Sequence, residues 1–398
     1  MSIMQVLLSR EGLIPDGDQI EGSVVVSEDT LAVVEASDTE ADVVATDIEA
    51  VAEANEEATE AEQGVEEVAE AVTAMEAIME RIVAATADGS KLTPREVGFI
   101  SNEAHAIYRS LGIQAIPVLA TESIDAGNNA TLALEGLADI ASKLMAGLAS
   151  ALNKIAAAAQ KFWVNTFTAY GRIRIRATKL KAKLEALAGD TTGTVQYDKE
   201  FDGFEKMSAK FTTPSKTILV DYQNDLVNFI KKGCEGEAPS LQRVKGALKA
   251  LPYSPTVVRV MNKYDLFEAD HSAGKGEVKF ANKAALIKHM DDTIALCDLV
   301  QRAKLGWIKT IQTFEALVNK LTKAMTGVKM GSVGAAFSSA GKQLNFATGG
   351  EMSKEIARIR NVLGAAMRAP RDFIDYELYC VNASLNLTAR AIKAASAA

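Results

Sequence analysis

Apolar residues recur at steps of three and four positions along most of the chain, which is the spacing that lines one face of an α-helix. In the middle of the chain, Leu144, Leu148 and Leu152 belong to one such stripe, which Gly189 ends. The helix there is either continuous or kinked near Gly171. The same spacing predicts helices over about 39–84, 94–111, 130–188, 219–232, 240–251, 282–326, 352–367 and 372–396.

Short stretches rich in β-branched residues interrupt the helical pattern and predict strands. Residues 256–261 (TVVRVM) and 277–280 (EVKF) predict a small paired sheet. Residues 190–216 predict an irregular segment with short strands near 195–197 and Phe201. The whole pattern therefore predicts a mainly α protein, in which long amphipathic helices pack as an elongated bundle with a small β element in the middle.

The connections between these helices carry local signals of their own. Thr93-Pro94-Arg95-Glu96 predicts a capping box with proline at the first helical position, opening the helix over 94–111. Residues 112–129 predict a loop, and the Gly- and Ser-rich residues 327–350 predict a mobile loop.

Composition supports helix-on-helix packing. Of the 398 residues, 48% are hydrophobic but only 6% are aromatic, so aliphatic side chains must form the core. Cys234, Cys297 and Cys380 are widely spaced, which predicts buried reduced thiols and a reducing compartment. The sequence predicts neither a secretory signal nor a membrane-spanning helix.

Charge divides the chain sharply. Residues 1–80 contain 22 acidic residues and one basic residue, a net charge of −21, whereas residues 81–398 carry +12. The acidic segment is either a solvating tail or a mask that neutralises the basic body. Residues 1–38 predict extended or disordered chain. The helix over 39–84 has only a thin Val stripe among many Glu residues, so we expect it to need a basic partner surface.

Catalytic and metal-binding motifs do not emerge from the sequence. The three histidines, His105, His271 and His289, are far apart, and no HExxH, phosphate-loop, GxSxG or GxGxxG motif occurs. The sequence therefore predicts no enzyme, no cofactor, no metal and no small-molecule substrate.

One basic stretch is interleaved with aromatic residues. Trp163, Phe167 and Tyr170 precede a run of cations that can neutralise phosphates, while the aromatic rings can stack on bases. The alternatives are a solvated helix end, where cations suit the helix dipole, and a docking surface for the acidic helix. The candidate cations for a nucleic acid or an acidic partner are Arg172, Arg174, Arg176, Lys179, Lys181 and Lys183.

This layout, an acidic N-terminal segment followed by a basic helical body, resembles the internal head proteins of phiKZ-like giant tailed phages. The resemblance implies a virion structural protein that is made in the host cytoplasm as a precursor, packaged inside the prohead and trimmed by the phage's prohead protease. It also implies other capsid or inner-body proteins, and double-stranded DNA, as partners of the mature part.

The resemblance further implies a cleavage motif, because the protease of that family cuts after Ser or Ala, any residue, then Glu. Ala120-Thr121-Glu122, followed by Ser123, matches the motif inside a predicted loop, where backbone is accessible to proteases. Cleavage there would separate an acidic propeptide-like segment, 1–122, from a basic helical body, 123–398, with net charges of −21 and +12. The same motif also ends at Glu56, Glu60, Glu76, Glu103, Glu135 and Glu355.

Two other functions compete with this one. The amphipathic helix over 137–170 and the Gly-rich residues 327–350 are also typical of membrane-active proteins such as pore-forming toxins. The third hypothesis is an enzyme whose site assembles from distant residues.

Overall fold

The structure, a computed structural model, describes residues 30–85, 93–110, 129–191, 193–198, 203–232, 275–326 and 368–397. A 3₁₀ turn at Phe204–Lys206 leads into α4, and a π-helical segment at Thr217–Tyr222 joins α4 to α5. The helices are α1 Thr30–Ala85, α2 Pro94–Ser110, α3 Asn129–Ala186, α4 Met207–Lys216, α5 Gln223–Lys231, α6 Lys283–Thr326 and α7 Arg368–Ala397. The predicted mainly α fold with long packed helices is confirmed.

Helix α3 lies between α1 and α6, contacts both over much of its length, and runs antiparallel to each. On the α6 side, the rings of Trp163 and Trp307 stack with their centroids 3.9 Å apart, and Lys181 pairs with Asp291. The C-terminal helix α7 contacts both α1 and α3. Helix α3 is continuous through Gly171, which decides between the two forms that the sequence allowed.

The buried residues of α1 follow a seven-residue repeat. Val51, Ala58, Val65 and Val72 lie seven positions apart, and all are at most 1% exposed. A second row, three residues further along, contains Ala54, Val68, Met75 and Ile82. Alternating steps of three and four residues are the spacing at which one helix packs lengthwise on another. The thin Val stripe is therefore the seam along which α1 packs against α3.

Two stretches are helical where the sequence predicted otherwise. Helix α1 begins at Thr30, although residues 1–38 were expected to be extended or disordered. Residues 204–216 are helical rather than irregular, and Phe204, Met207 and Phe211 are buried on the side facing α6 and α7. Pro214 argues against a helix in the sequence, but it lies inside α4, and the wider π-helical turn follows it directly.

The small β element is a two-stranded antiparallel sheet. Strand β1, Thr194–Asp198, pairs with β2, Lys275–Lys279, and Val195 lies opposite Val278. The strands predicted near 195–197 and 277–280 are thus confirmed, but these two pair with each other. Residues 256–261, the partner that the sequence suggested, lie outside the described residues.

The predicted capping box opens α2. The Thr93 backbone N–H donates to Glu96 Oε2 over 2.7 Å, and the Glu96 N–H donates to Thr93 Oγ1 over 3.3 Å. The Thr93 N–H and the Thr93 hydroxyl both donate to the Glu96 carboxylate, and these two hydrogen bonds lower the pKa of the carboxyl. The predicted helices over 240–251 and 352–367 and the predicted loop at 327–350 lie outside the described residues, as does the predicted loop at 112–129 except for Asn129, which begins α3.

Two leucines of α6 test the orientation of this helix. Leu296 is fully buried, whereas Leu305 is 78% exposed. We expect Leu296→Ala to lower the free energy of unfolding by about 2–5 kcal/mol, because it leaves a cavity. Leu305→Ala should change that free energy by less than about 0.5 kcal/mol. Urea unfolding of both variants measures the difference, and equal losses would contradict the orientation.

Candidate functional site

The acidic helix lies on the basic stretch of α3 and forms ion pairs with it. Lys161 pairs with Glu57 at 2.6 Å, Arg172 pairs with Asp47 at 3.1 Å, and Lys179 pairs with Glu40. The cations of these pairs extend over roughly 27 Å of α3, at 1.5 Å per residue. We call this set the α1–α3 ion pairs. The expected need of the acidic helix for a basic partner surface is thus met within the chain.

The other predicted cations lie on different sides of α3. Arg174 pairs with Asp298, and Lys181 pairs with Asp291, each at 2.7 Å, so both face α6. Arg176 is only 3% exposed and donates to the Asn382 and Asn386 side-chain oxygens of α7, over 3.0 and 2.6 Å. Lys183 lies half-buried in the last turn. The run that is continuous in sequence therefore divides among three neighbouring helices.

The aromatic residues before this run lie in the core. Trp163 is 1% exposed and stacks on both Trp307 and Phe167. Tyr170 is fully buried and donates a hydrogen bond to Glu377. In this conformation the rings stabilise the bundle and are not presented to a nucleic acid.

A buried ionic cluster joins α1 to α7. Arg371 is fully buried, and its guanidinium reaches Glu62 Oε1 at 2.5 Å and Asn55 Oδ1 at 3.1 Å. Asn55 in turn donates to Asp372 Oδ1 over 3.1 Å, and Arg368 lies 3.8 Å from Glu62 Oε2. Burial raises the pKa of the Glu62 carboxyl, and the charge and hydrogen bond of Arg371 oppose that rise. We call these five residues the α1–α7 cluster.

Sequence reasoning missed the α1–α7 cluster because its two halves are more than 300 positions apart. The available signal was weak. Asn55 and Glu62 lie seven positions apart beside the apolar seam of α1, where a polar side chain must be buried or partnered. Nothing in the sequence identified Arg371 as that partner.

A second buried polar group ties α7 to α3 and α4. Glu377 is fully buried, accepts a hydrogen bond from Tyr170 and lies within hydrogen-bond distance of the Ser215 hydroxyl, and burial raises its pKa to about 7. The Ser215 hydroxyl has one proton but lies near two acceptors, Glu377 Oε2 and the Phe211 carbonyl at 2.7 Å. A protonated Glu377 that donates to Ser215 removes this shortage of donors.

The raised pKa of Glu377 predicts pH-dependent stability. Since the folded protein holds this proton more tightly than the unfolded chain, its contribution is complete below pH 4.5 and is lost as the pH rises to about 7. A shift of this size corresponds to about 3 kcal/mol. Glu377→Gln keeps a neutral side chain of similar shape, so its free energy of unfolding should not show this loss. Urea unfolding of both proteins across this pH range measures the difference, and parallel pH profiles would contradict the assignment.

An open groove of about 870 Å³ also lies between α1 and α3. Its lining includes small residues, among them Gly64 and Gly147, and charged residues of both signs, among them Glu67 and Lys154. Elsewhere in the described residues, no group of histidine, cysteine and carboxylate side chains is arranged to hold a metal ion. His289 is buried with Nε2 3.0 Å from Ser384 Oγ, and burial lowers its pKa to about 4.

The structure does not place the predicted cleavage site. The cleavage motif, Ala120-Thr121-Glu122 with Ser123, lies outside the described residues. Among the helices that the structure describes, none is both long and apolar enough to cross a membrane.

Comparison with known families gives one match. The model of the phiKZ-like phage internal head proteins matches residues 36–252, which is more than half of the chain. The matched region begins inside α1 and extends beyond α5, so it contains all of the α1–α3 ion pairs. No curated protein and no solved structure matches the chain.

Proposed function

Because the chain belongs to the phiKZ-like phage internal head proteins, we propose that it is a virion structural component that resides inside the phage head. It is made in the host cytoplasm as a precursor. The prohead protease removes the acidic segment, 1–122, by cutting between Glu122 and Ser123. The basic body, 123–398, then associates with packaged DNA or with other inner-body proteins.

The pairing of charges between α1 and α3 is the observation that supports this proposal best. The cations that face α1, Lys161, Arg172 and Lys179, each have a carboxylate partner within the segment to be removed. Duplex DNA binds such cations through its phosphates and releases counterions as it does so. A carboxylate that already occupies the cation competes with the phosphate, so the acidic segment acts as a mask.

The ion pairs alone are too weak to keep α1 bound to α3. Lys161, Arg172 and Lys179 are 44–55% exposed, and exposed pairs contribute only about 0–1 kcal/mol each. The apolar seam of α1 supplies the stronger attachment, since its Val, Ala and Met side chains are almost fully buried. The carboxylates therefore stay beside the cations for as long as α1 stays packed.

Neutralising the masking carboxylates in the full chain tests the electrostatic part of the proposal. We expect the triple variant Glu40→Gln, Asp47→Asn and Glu57→Gln to bind duplex DNA more tightly than the wild type, because it releases three cations. Binding should also depend more steeply on salt, with the slope of log K against log salt growing by up to about 0.9 per phosphate contact. Fluorescence anisotropy with labelled duplex DNA at several salt concentrations measures both.

A matched control separates masking from net charge. Glu56, Glu67 and Glu70 are exposed on the same helix and have no ion pair among the described residues. Their triple change to Gln alters the net charge by the same amount. Equal DNA binding by the two triple variants would contradict masking by the α1–α3 ion pairs.

The cleavage site gives a separate prediction. Protein recovered from phage heads should begin at Ser123, as N-terminal sequencing and intact mass would show. Glu122→Ala should leave the precursor uncut at this position. Glu135→Ala, which alters the same three-residue motif at Ala133-Leu134-Glu135, should leave cleavage unchanged. A mature N-terminus elsewhere would refute the assignment of Glu122.

A further inference from the structure

Helix α1 contributes apolar side chains to the core and also contains many of the acidic residues. Its buried apolar residues face α3, and α1 also contacts α2 and α7. Between α1 and α2, Arg81 pairs with Glu103 at 2.7 Å. Val51, Ala58, Val65 and Val72 of this helix are each at most 1% exposed.

The α1–α7 cluster adds a contact that another acidic helix would not readily reproduce. Arg371 needs a carboxylate and an amide oxygen at two fixed positions, and α1 supplies them with Glu62 and Asn55. Removing one member of a buried ion pair leaves the other charge uncompensated, which strongly opposes the loss. The cluster therefore fixes the register of α1 against α7 and resists its departure.

A cut between α2 and α3 breaks none of these contacts. It removes a covalent connection between residues 110 and 129, whereas the seam, the α1–α3 ion pairs and the α1–α7 cluster all join residues on opposite sides of the cut. From this geometry we infer that α1 remains bound to α3 and α7 after cleavage, so that the processed protein is a two-piece complex. The partner of the basic body is then its own severed acidic helix.

This inference rests on the proposed processing and changes its consequence. Cleavage alone leaves Lys161, Arg172 and Lys179 neutralised, and DNA gains access only when α1 is displaced. The two copies of the cleavage motif that begin at Ala54 and Ala58 are not accessible in the folded state, because both alanines are fully buried in a continuous helix. A protease must first unfold α1 before it can cut there.

A full chain with an engineered cut tests the inference. A recognition site for a sequence-specific protease, flanked by flexible Gly-Ser linkers, replaces residues 119–124. After complete cutting, judged on a denaturing gel, we expect the two pieces to elute together from a size-exclusion column at about 1 µM. They should separate only when urea is added. Separate elution in buffer alone would overturn the inference.

Variants of the cut chain test whether the α1–α7 cluster contributes to retention. Glu62→Ala leaves Arg371 without its carboxylate, and we expect the pieces to associate at least about 100-fold more weakly. Glu60→Ala is the control, because Glu60 is exposed two positions away and has no ion pair among the described residues. Circular dichroism of the uncut variants checks that both fold. Equal weakening by both would show that the cluster does not retain α1, leaving the seam alone to do so.

The same samples separate failure of this inference from failure of the proposed function. If the pieces part on dilution and the C-terminal piece, which contains residues 125–398, binds duplex DNA, the inference is wrong and the masking proposal stands. If the pieces stay together, and the C-terminal piece obtained in urea and returned to buffer is folded but does not bind DNA, retention is confirmed and DNA association is refuted.

Discussion

The lengthwise packing of the acidic helix α1 against α3 is the contact on which the rest of the structure depends. Helix α1 is rich in glutamate, and neighbouring like charges destabilise an isolated helix. Its 3–4 spaced apolar seam and the cations of α3 compensate for that repulsion in different ways. The seam supplies most of the attraction, and the ion pairs place opposite charge beside the carboxylates. The acidic segment is thus part of the fold rather than a tail attached to it.

The C-terminal helix α7 completes this arrangement through polar groups buried in the bundle. Arg371 meets Glu62 and Asn55 of α1, Glu377 meets Tyr170 of α3, and Asn382 meets Arg176. Such buried polar contacts require their partners in fixed positions, because an unmatched buried charge or donor is costly. They therefore specify how α7 packs against α1 and α3.

In this internal head protein, the acidic and basic residues are far apart in sequence but lie next to each other in the fold. Among the described residues, the acidic helix α1 lies against α3, and three of its carboxylates pair with cations of that helix. A protein stored in this form would present fewer uncompensated cations to nucleic acid than its body alone. Under the proposed function, access of DNA to these cations depends on the stability of the seam between α1 and α3. In this proposal, electrostatic attraction sets whether the α3 cations bind carboxylates or phosphates. The apolar packing of α1 keeps the carboxylates in place until α1 leaves α3.

The sequence by itself determined the elements that depend on interactions between residues close together in the chain. The spacing of apolar residues located α1, α3, α6 and α7 to within a few residues, except that α1 begins about nine residues earlier. The capping box at Thr93 and Glu96 formed as expected, because its hydrogen bonds connect neighbouring residues. The charge asymmetry and the need of the acidic helix for a basic partner also followed from composition alone.

Only the tertiary structure decided which groups meet. The run from Arg172 to Lys183 is continuous in sequence, but the helical rotation of 100° per residue sends Arg172 toward α1, Arg174 toward α6 and Arg176 toward α7. Residues 204–216 became helical because burial against α6 and α7 outweighed the local preference of Pro214. The pairing of Glu62 with Arg371 depends on bringing together residues more than 300 positions apart. Periodicity specifies the face that a helix buries, but the partner on that face is chosen by the packing of the whole chain.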